Sequence, residues 1–323
     1  MAGFPILFVT ASRIGDATLS SGLIRRLYDE VPHARFTIAA GPAALPLFAD
    51  TPGLDRLIPL EKRPMAGHWL ELWRRTRRRR WGLVVDLRGS RLSAFLRARR
   101  RAVYARPGAG AAPEHKVVEA ARVLKLQDDP PAPYLFTSEE TDARAAALVG
   151  EGGPLLAIGP GANWRGKAWP SERYARLAAA LMEPGAPFDG GRLMVLGDAA
   201  DRVATEGIRR SVKRDRLVDL VGRTDPLTAY AALKHARLYV GNDSGLTHLA
   251  AAAGAPTLAL FGPSDDRLYA PWGPDARFIR GPRSFEQFKT VDPELNQPVS
   301  HMLDLGLPAV LDAARSLHAE TAR

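Results

Sequence analysis

Residues 242–256 read NDSGLTHLAAAAGAP. Leu246, Leu249, Ala250 and Ala253 recur at i, i+3, i+4 and i+7, which puts them on one apolar face of a helix. The start of that helix is polar, with Asp243, Ser244, Gly245, Thr247 and His248. Asp243 stands where an N-cap belongs. The amides beyond it have no partner within the helix, and Gly245 lets a ligand approach the backbone. An anion at such a site gains roughly 0.3–1 kcal/mol from the helix dipole when exposed. Taken alone, the stretch fits a plain capped helix as well as it fits an anion site.

Two further segments carry candidate chemistry. GPGANWRGKAWPSERY (Gly159–Tyr174) lies between the apolar run LLAIG and a helical pattern. Its Lys167 is the only lysine between Lys125 and Lys213. A compact ammonium there suits a diphosphate, and a solvated loop lysine is the ordinary alternative. SRIGDATLSSG (Ser12–Gly22) follows the first apolar run, ILFVT. Asp16 in it either caps a helix or serves as a general base. The dinucleotide fingerprint G-x-G-x-x-G and the Walker A pattern are both missing after that run, which argues against a dehydrogenase or a P-loop NTPase. No D-x-D triplet occurs and the histidines are scattered, so no metal site is expected.

Positioning these residues requires a framework, and the chain alternates apolar runs with helical patterns. RFTIAA, LVVDL, AVYA, LLAIG, RLMVLG, LVDLVG, RLYVG and TLALFG join ILFVT as expected strands. Strands alternating with helices predict parallel sheets, α/β in class, with ligands beyond the carboxyl ends of the strands. QDDPPAPYLF (Gln127–Phe136) breaks the rhythm with three prolines. Two domains, 1–150 and 151–302, are expected, with residues 303–323 as a last helix that returns to the first domain.

The 323 residues include no cysteine, so disulfides, thiolate metal sites and a cysteine nucleophile are excluded. The N-terminus has no basic lead-in and reads as a strand rather than a signal peptide. No apolar run is long enough to span a bilayer. These features predict a soluble, cytoplasmic protein. The formal charge is +10, and 38 of the 45 basic residues are arginine. Many fall in RRTRRRR (Arg74–Arg80) and RARRR (Arg97–Arg101). The runs point either to an anionic partner or to an arginine-biased composition. RNA-binding signatures are missing, so no specific nucleic acid is expected.

Five segments in order resemble glycosyltransferase family 9, the bacterial heptosyltransferases of lipopolysaccharide core synthesis. They are the opening ILFVTASRIGDATLSSGLIRRLYDEVPHARFTIAA, then PGLDRLIPLEKR, LVVDLRGSRLSAFL, GANWRGKAWPSERYARLAAAL and VGNDSGLTHLAAAAGAPTLALFGPSD. The resemblance implies the GT-B fold, two Rossmann-like domains facing each other across a cleft. The donor, an ADP-sugar such as ADP-heptose, binds the C-terminal domain. The acceptor, a phosphorylated lipid A–core, binds the N-terminal domain.

Residue by residue, the resemblance makes Asp16 the catalytic base and Lys167 the diphosphate ligand. It places Asp243, Ser244, Gly245, Thr247 and His248 near the nucleotide-sugar. Asp198 or Asp201 meets the ribose, with Asp201 the position carried forward. Lys62 and Arg63 align with residues that meet acceptor phosphates. Ala168 departs from the family, which often has a basic residue there. The implied reaction is inverting, with neither metal nor cofactor, at the cytoplasmic face of the inner membrane and in transient contact with it. A nucleotide-sugar 2-epimerase on the same fold and a non-enzymatic binder of anionic surfaces are the rival expectations.

Overall fold

The computed structural model describes residues 3–108, 110, 112–295 and 299–322. The chain forms two compact units, 1–138 and 139–323. The first holds five strands: β1 (Phe4–Val9), β2 (Ala34–Ala40), β3 (Leu54–Pro59), β4 (Trp81–Asp86) and β5 (Ala98–Val103). They pair in parallel in the order β3-β2-β1-β4-β5. The second holds six: β6 (Leu155–Gly159), β7 (Arg192–Val195), β8 (Leu217–Asp219), β9 (Leu238–Asn242), β10 (Thr257–Phe261) and β11 (Ala276–Arg280). Their order is β11-β10-β9-β6-β7-β8, again parallel throughout. Central strands such as β6, β9 and β10 are buried along their whole length, as apolar runs covered on both faces must be.

In each unit the strand order reverses beside the first strand. The crevice lies between β1 and β4 in the first unit and between β6 and β9 in the second. Loops leaving the carboxyl ends of neighbouring strands diverge there, and ligands bind in the space they leave.

The unit boundary falls earlier than the expected 150. The proline-rich segment is a strap on the first unit: Tyr134 N donates to Ser21 Oγ at 2.9 Å and Leu135 is buried. Phe136 packs edge-on to Tyr28, and Ser138 N donates to Asp50. The helix Glu139–Val149 then joins the second unit. Arg144 Nε donates to Thr228 Oγ1 at 3.0 Å, and Lys234 pairs with Asp142. The C-terminal helix, Leu307–Thr321, also departs from expectation. It buries Val310, Ala314 and Leu317 in the second unit's core with Leu258 and Leu260. It packs on the domain that precedes it, because its apolar face matches that sheet.

Gly159 and Gly241 sit opposite each other across the β6–β9 pair. A Cβ on Gly241 would lie 2.2 Å from Tyr239 Oη and 2.7 Å from Gly159 O. The backbone oxygen cannot yield without parting the strands at the crevice. Gly241→Ala is therefore expected to destabilise by about 1–3 kcal/mol, as overpacking does. Gly207→Ala, which adds a Cβ into open space, should be neutral or slightly stabilising. Urea unfolding of both variants checks the pair.

Candidate functional site

In the second unit, Lys167 and Asp243 come from the loops after β6 and β9, one on each side of the crevice. Lys167 Nζ donates to Asp243 Oδ2 at 2.6 Å. The carboxylate is buried, whereas the ammonium keeps 24% of its side-chain surface. Burial pushes the Asp243 carboxyl up. The charges of Lys167 and His248, with the hydrogen bond from Lys167, outweigh that and hold it below the usual carboxylate range. A buried ionised acid is tolerated only when so paired.

Asn242 fixes the meeting point. It is fully buried, and its Nδ2 donates to Pro160 O at 2.6 Å. Its Oδ1 accepts from Trp169 N at 3.1 Å and from Tyr174 Oη at 2.9 Å. One amide thus ties the β6 loop, the segment after Lys167 and the following helix to the end of β9. Trp169 is core, and its Nε1 donates to Leu305 O. The segment near residue 300 buttresses the loop from the other side, where His301 N donates to Gly166 O and Ser300 Oγ to Ala168 O.

The helix begins at Gly245 with Ser244, not Asp243, as its N-cap. Ser244 has the extended backbone of a cap, yet its hydroxyl makes no capping bond. Asp243 is instead committed to Lys167. Among the described residues no side chain caps the first-turn amides of Gly245, Leu246 and Thr247, which leaves them available to an anion.

Thr247 is a turn residue. Its hydroxyl donates to Asn242 O at 2.5 Å, lies 3.3 Å from Tyr239 Oη and is buried. His248 is buried as well and turns Nε2 to within 3.9 Å of Asp243 Oδ1. It backs the carboxylate within the polar start of the helix and is not among the aliphatic core.

Asp198 and Asp201 divide their roles after β7. Asp198 caps the short helix Ala199–Arg202, accepting from Ala200 N at 2.7 Å. Asp201 closes the capping box by accepting from Asp198 N at 3.0 Å. Its carboxyl lies against Gly161, where a Cβ would come within 2.6 Å of Oδ2. Burial raises its pKa; the Asp198 amide opposes this and the Asp198 charge adds to it. Of the two acids, Asp201 is the one beside the β6 loop.

In the first unit, Asp16 occupies the first turn of the helix Ile14–Leu19, directly after β1. It is half-buried and is not the cap, a position held by Arg13. A carboxylate is favoured there by the helix dipole. Arg88, from the β4 loop, donates to Ser12 Oγ at 3.0 Å and so bridges the first unit's crevice. Buried Asp86 shapes that loop by accepting from Arg88 N at 2.9 Å and Ser90 N at 3.0 Å. Lys62 and Arg63 follow β3 and are exposed. The half-buried His68 stands with them. Its pKa is lowered by burial first, then by the charges of Arg88, Lys62 and Arg63. Lys62, Arg63 and Arg88 make a cationic edge at the carboxyl ends of the first sheet, with the imidazole of His68 among them. Neither His68 nor Arg88 was singled out in the sequence: His68 lies in none of the five segments, and Arg88, within LVVDLRGSRLSAFL, reaches Ser12 only through the β4 loop.

Among the described residues, no three His, Asp or Glu side chains gather as a metal site would need. No helix among them is long and apolar enough to cross a membrane.

The family model of glycosyltransferase family 9 (heptosyltransferase) matches residues 110–297, more than half of the chain. The chain belongs to glycosyltransferase family 9. This family 9 enzyme is 28% identical to lipooligosaccharide heptosyltransferase 2 of Haemophilus ducreyi, an alignment covering 85% of this chain and 88% of the relative. It is 25% identical to lipopolysaccharide heptosyltransferase 2 of Salmonella typhimurium, over 98% and 99% of the two chains. Its fold is similar to that of the E. coli ADP-heptose lipopolysaccharide heptosyltransferase II, with a TM-score of 0.76 at 24% identity over 99% and 100% of the chains. A family 9 glycosyl transferase from Veillonella parvula superposes with a TM-score of 0.77 at 18% identity, over 98% and 97%. The two-domain α/β fold is therefore GT-B, and the protein is a glycosyltransferase.

Proposed function

We propose that this glycosyltransferase moves a heptose from ADP-heptose to a phosphorylated lipid A–core acceptor, with inversion at the anomeric carbon. The observation that carries the reading is the Lys167–Asp243 pair at the second unit's crevice, beside a helix whose first amides are capped by no side chain among the described residues. Relatives that match over most of their length carry heptosyltransferase names, which favours heptose over other sugars.

The donor diphosphate lies on the amides of residues 245–247 and the exposed side of Lys167. Asp243, kept ionised, holds that ammonium in place and accepts hydroxyls of the sugar. Asp201 takes the ribose. Lys62 and Arg63, with His68 and Arg88, hold acceptor phosphates. Asp16 removes the proton of the acceptor hydroxyl as that oxygen attacks the anomeric carbon. The bond from that carbon to the diphosphate oxygen breaks, and its electron pair leaves with ADP. Positive charge fixed in advance at the leaving group stabilises the transition state most. Lys167 and the helix amides supply that charge from the chain itself, so the reaction needs no metal. The enzyme works from the cytoplasm at the inner membrane.

Thermal shift tests the donor reading, since a ligand specific to the native state raises the melting temperature by mass action. ADP is expected to raise it more than UDP or GDP, and ADP-heptose alone should release little ADP. Equal shifts with all three nucleotides would remove the donor assignment. Rapid release of sugar or an epimer without acceptor would favour an epimerase.

A further inference from the structure

The arginine runs and an apolar hollow meet on the first unit, on the helix that also carries His68 and beside the β4 loop at Ser90. The helix Gly67–Thr76 and the short turn Arg91–Phe95 enclose a hollow of about 600 Å³. Trp69, Trp73 and Leu92 form its floor and pack on the unit's core below. Leu70 and Phe95 form the rim and are left 49% and 73% exposed. An apolar rim this open on a surface otherwise dense in charge marks a contact site.

The charge around it is mostly positive, with Glu71 paired to Arg75. Leu70, Arg74 and Arg77 fall at i, i+4 and i+7 and so share a stripe. Arg77 lies over the Trp73 ring at 4.8 Å, and Arg91 lines the hollow. In the Arg74–Arg80 run, only Arg75 and Arg79 are matched by carboxylates, Glu71 and Asp55, among the described residues. Two ordinary explanations cover part of this pattern. Arginines on β5 protect an edge strand, and Arg74 and Arg75 suit a helix C-terminus. Neither explains why the cations ring an open, tryptophan-floored hollow. A protein partner would have to match a wide cationic rim and insert an apolar wedge at the same place. An anionic bilayer offers both at once, as phosphate headgroups for the arginines and acyl chains for the hollow.

We propose that this face docks on the surface of an anionic phospholipid membrane, with Leu70 and Phe95 inserted and Arg74, Arg77 and Arg91 at the headgroups. The inference rests on the acceptor reading only in supplying a reason to be at a membrane; the contact itself stands on the face just described.

The test is co-sedimentation of the full chain, without donor or acceptor, with vesicles of phosphatidylcholine alone or mixed with phosphatidylglycerol. The protein is expected to sediment with the mixed vesicles and to stay in solution with the neutral ones. Arg77→Gln/Arg91→Gln should weaken binding by about fivefold per arginine. Leu70→Ser/Phe95→Ser should weaken it about tenfold or more, by the loss of buried apolar surface. Arg176→Gln/Arg210→Gln, which removes two exposed arginines from the second unit, should leave it unchanged. Unaltered melting temperatures and ADP shifts confirm that the variants fold.

The proposal is overturned if the parent ignores both vesicle types, or if Leu70→Ser/Phe95→Ser binds like the parent. Equal loss in the control pair would also overturn it, by showing attraction through net charge alone. So would concentration-dependent dimerisation abolished by Leu70→Ser/Phe95→Ser, which would assign the face to a second copy. Because no substrate is present, failure of the transfer reading and failure of this one are read separately.

Discussion

Asp16→Asn is expected to bind ADP as the parent does and to lose turnover by about 10²–10⁴-fold, the usual worth of a general base. The substitution is nearly isosteric, and Asp16 is not the cap of its helix. It lies in the unit that does not carry Lys167 and Asp243, so ADP affinity has no reason to change. The loss should appear in kcat, with the KM for donor little altered, because the proton transfer belongs to the transition state. Single-turnover kinetics with saturating acceptor, beside calorimetric titration of ADP, measure both sides. Turnover within a few-fold of the parent would remove Asp16 from the chemistry.

The second large effect concerns Lys167. In Lys167→Ala, Asp243 stays buried without its closest cation. Breaking such a pair costs about 3–5 kcal/mol, with the lower end expected because Lys167 is partly exposed. Turnover should fall by about 10²–10³-fold as well, since a donor to the leaving group is lost.

The pH dependence follows from the direction of the Asp243 shift. Its folded pKa lies below its unfolded value. Its stabilising contribution is therefore complete above the unfolded value and is lost as the pH falls through the folded one. Without Lys167, burial is less opposed and the carboxyl moves up. Acid unfolding should then begin at a higher pH than in the parent. The double variant Lys167→Met/Asp243→Asn removes the stranded charge and should recover much of the stability, while ADP affinity and turnover stay low. Urea unfolding across the acid range, with calorimetric titration of ADP, separates the two effects. A single variant as stable as the parent at every pH would show that the pair is not coupled.

The central strands were legible because each is an apolar run covered on both faces, and RLYV, TLALF and LLAIG map onto β9, β10 and β6. Strands β3, β5 and β11 were not. They are edge strands with largely exposed side chains, so in LDRLIP, ARRRAV and ARFIR charged residues interrupt the apolar run. AVYA was expected as a strand, but the real one begins earlier, among the arginines. The domain boundary was misplaced because prolines mark extended chain, and only packing shows whether extended chain links or straps.

At the site, the residue types and spacing pointed to Lys167 and Asp243 separately, but not to each other. Their contact depends on the side-by-side pairing of β6 and β9, which are far apart in sequence. Asp243 was expected to cap the helix because Asp is a common cap residue. Its pairing with Lys167 leaves that post to the Ser244 backbone. Thr247 looked like a ligand because hydroxyls at a helix start often are; its use inside the turn follows from Asn242 O pointing back at it. Asn242 itself gave no signal, since nothing local distinguishes a buried asparagine that joins three segments from one in a turn.

Transfer itself is tested most directly by mass spectrometry of a truncated, phosphorylated lipid A–core acceptor incubated with the purified enzyme and ADP-heptose. An acceptor heavier by one heptosyl residue is expected, with ADP released in equal amount and only in the presence of acceptor. An acceptor of unchanged mass, with donor intact or hydrolysed to free heptose, would contradict heptosyl transfer.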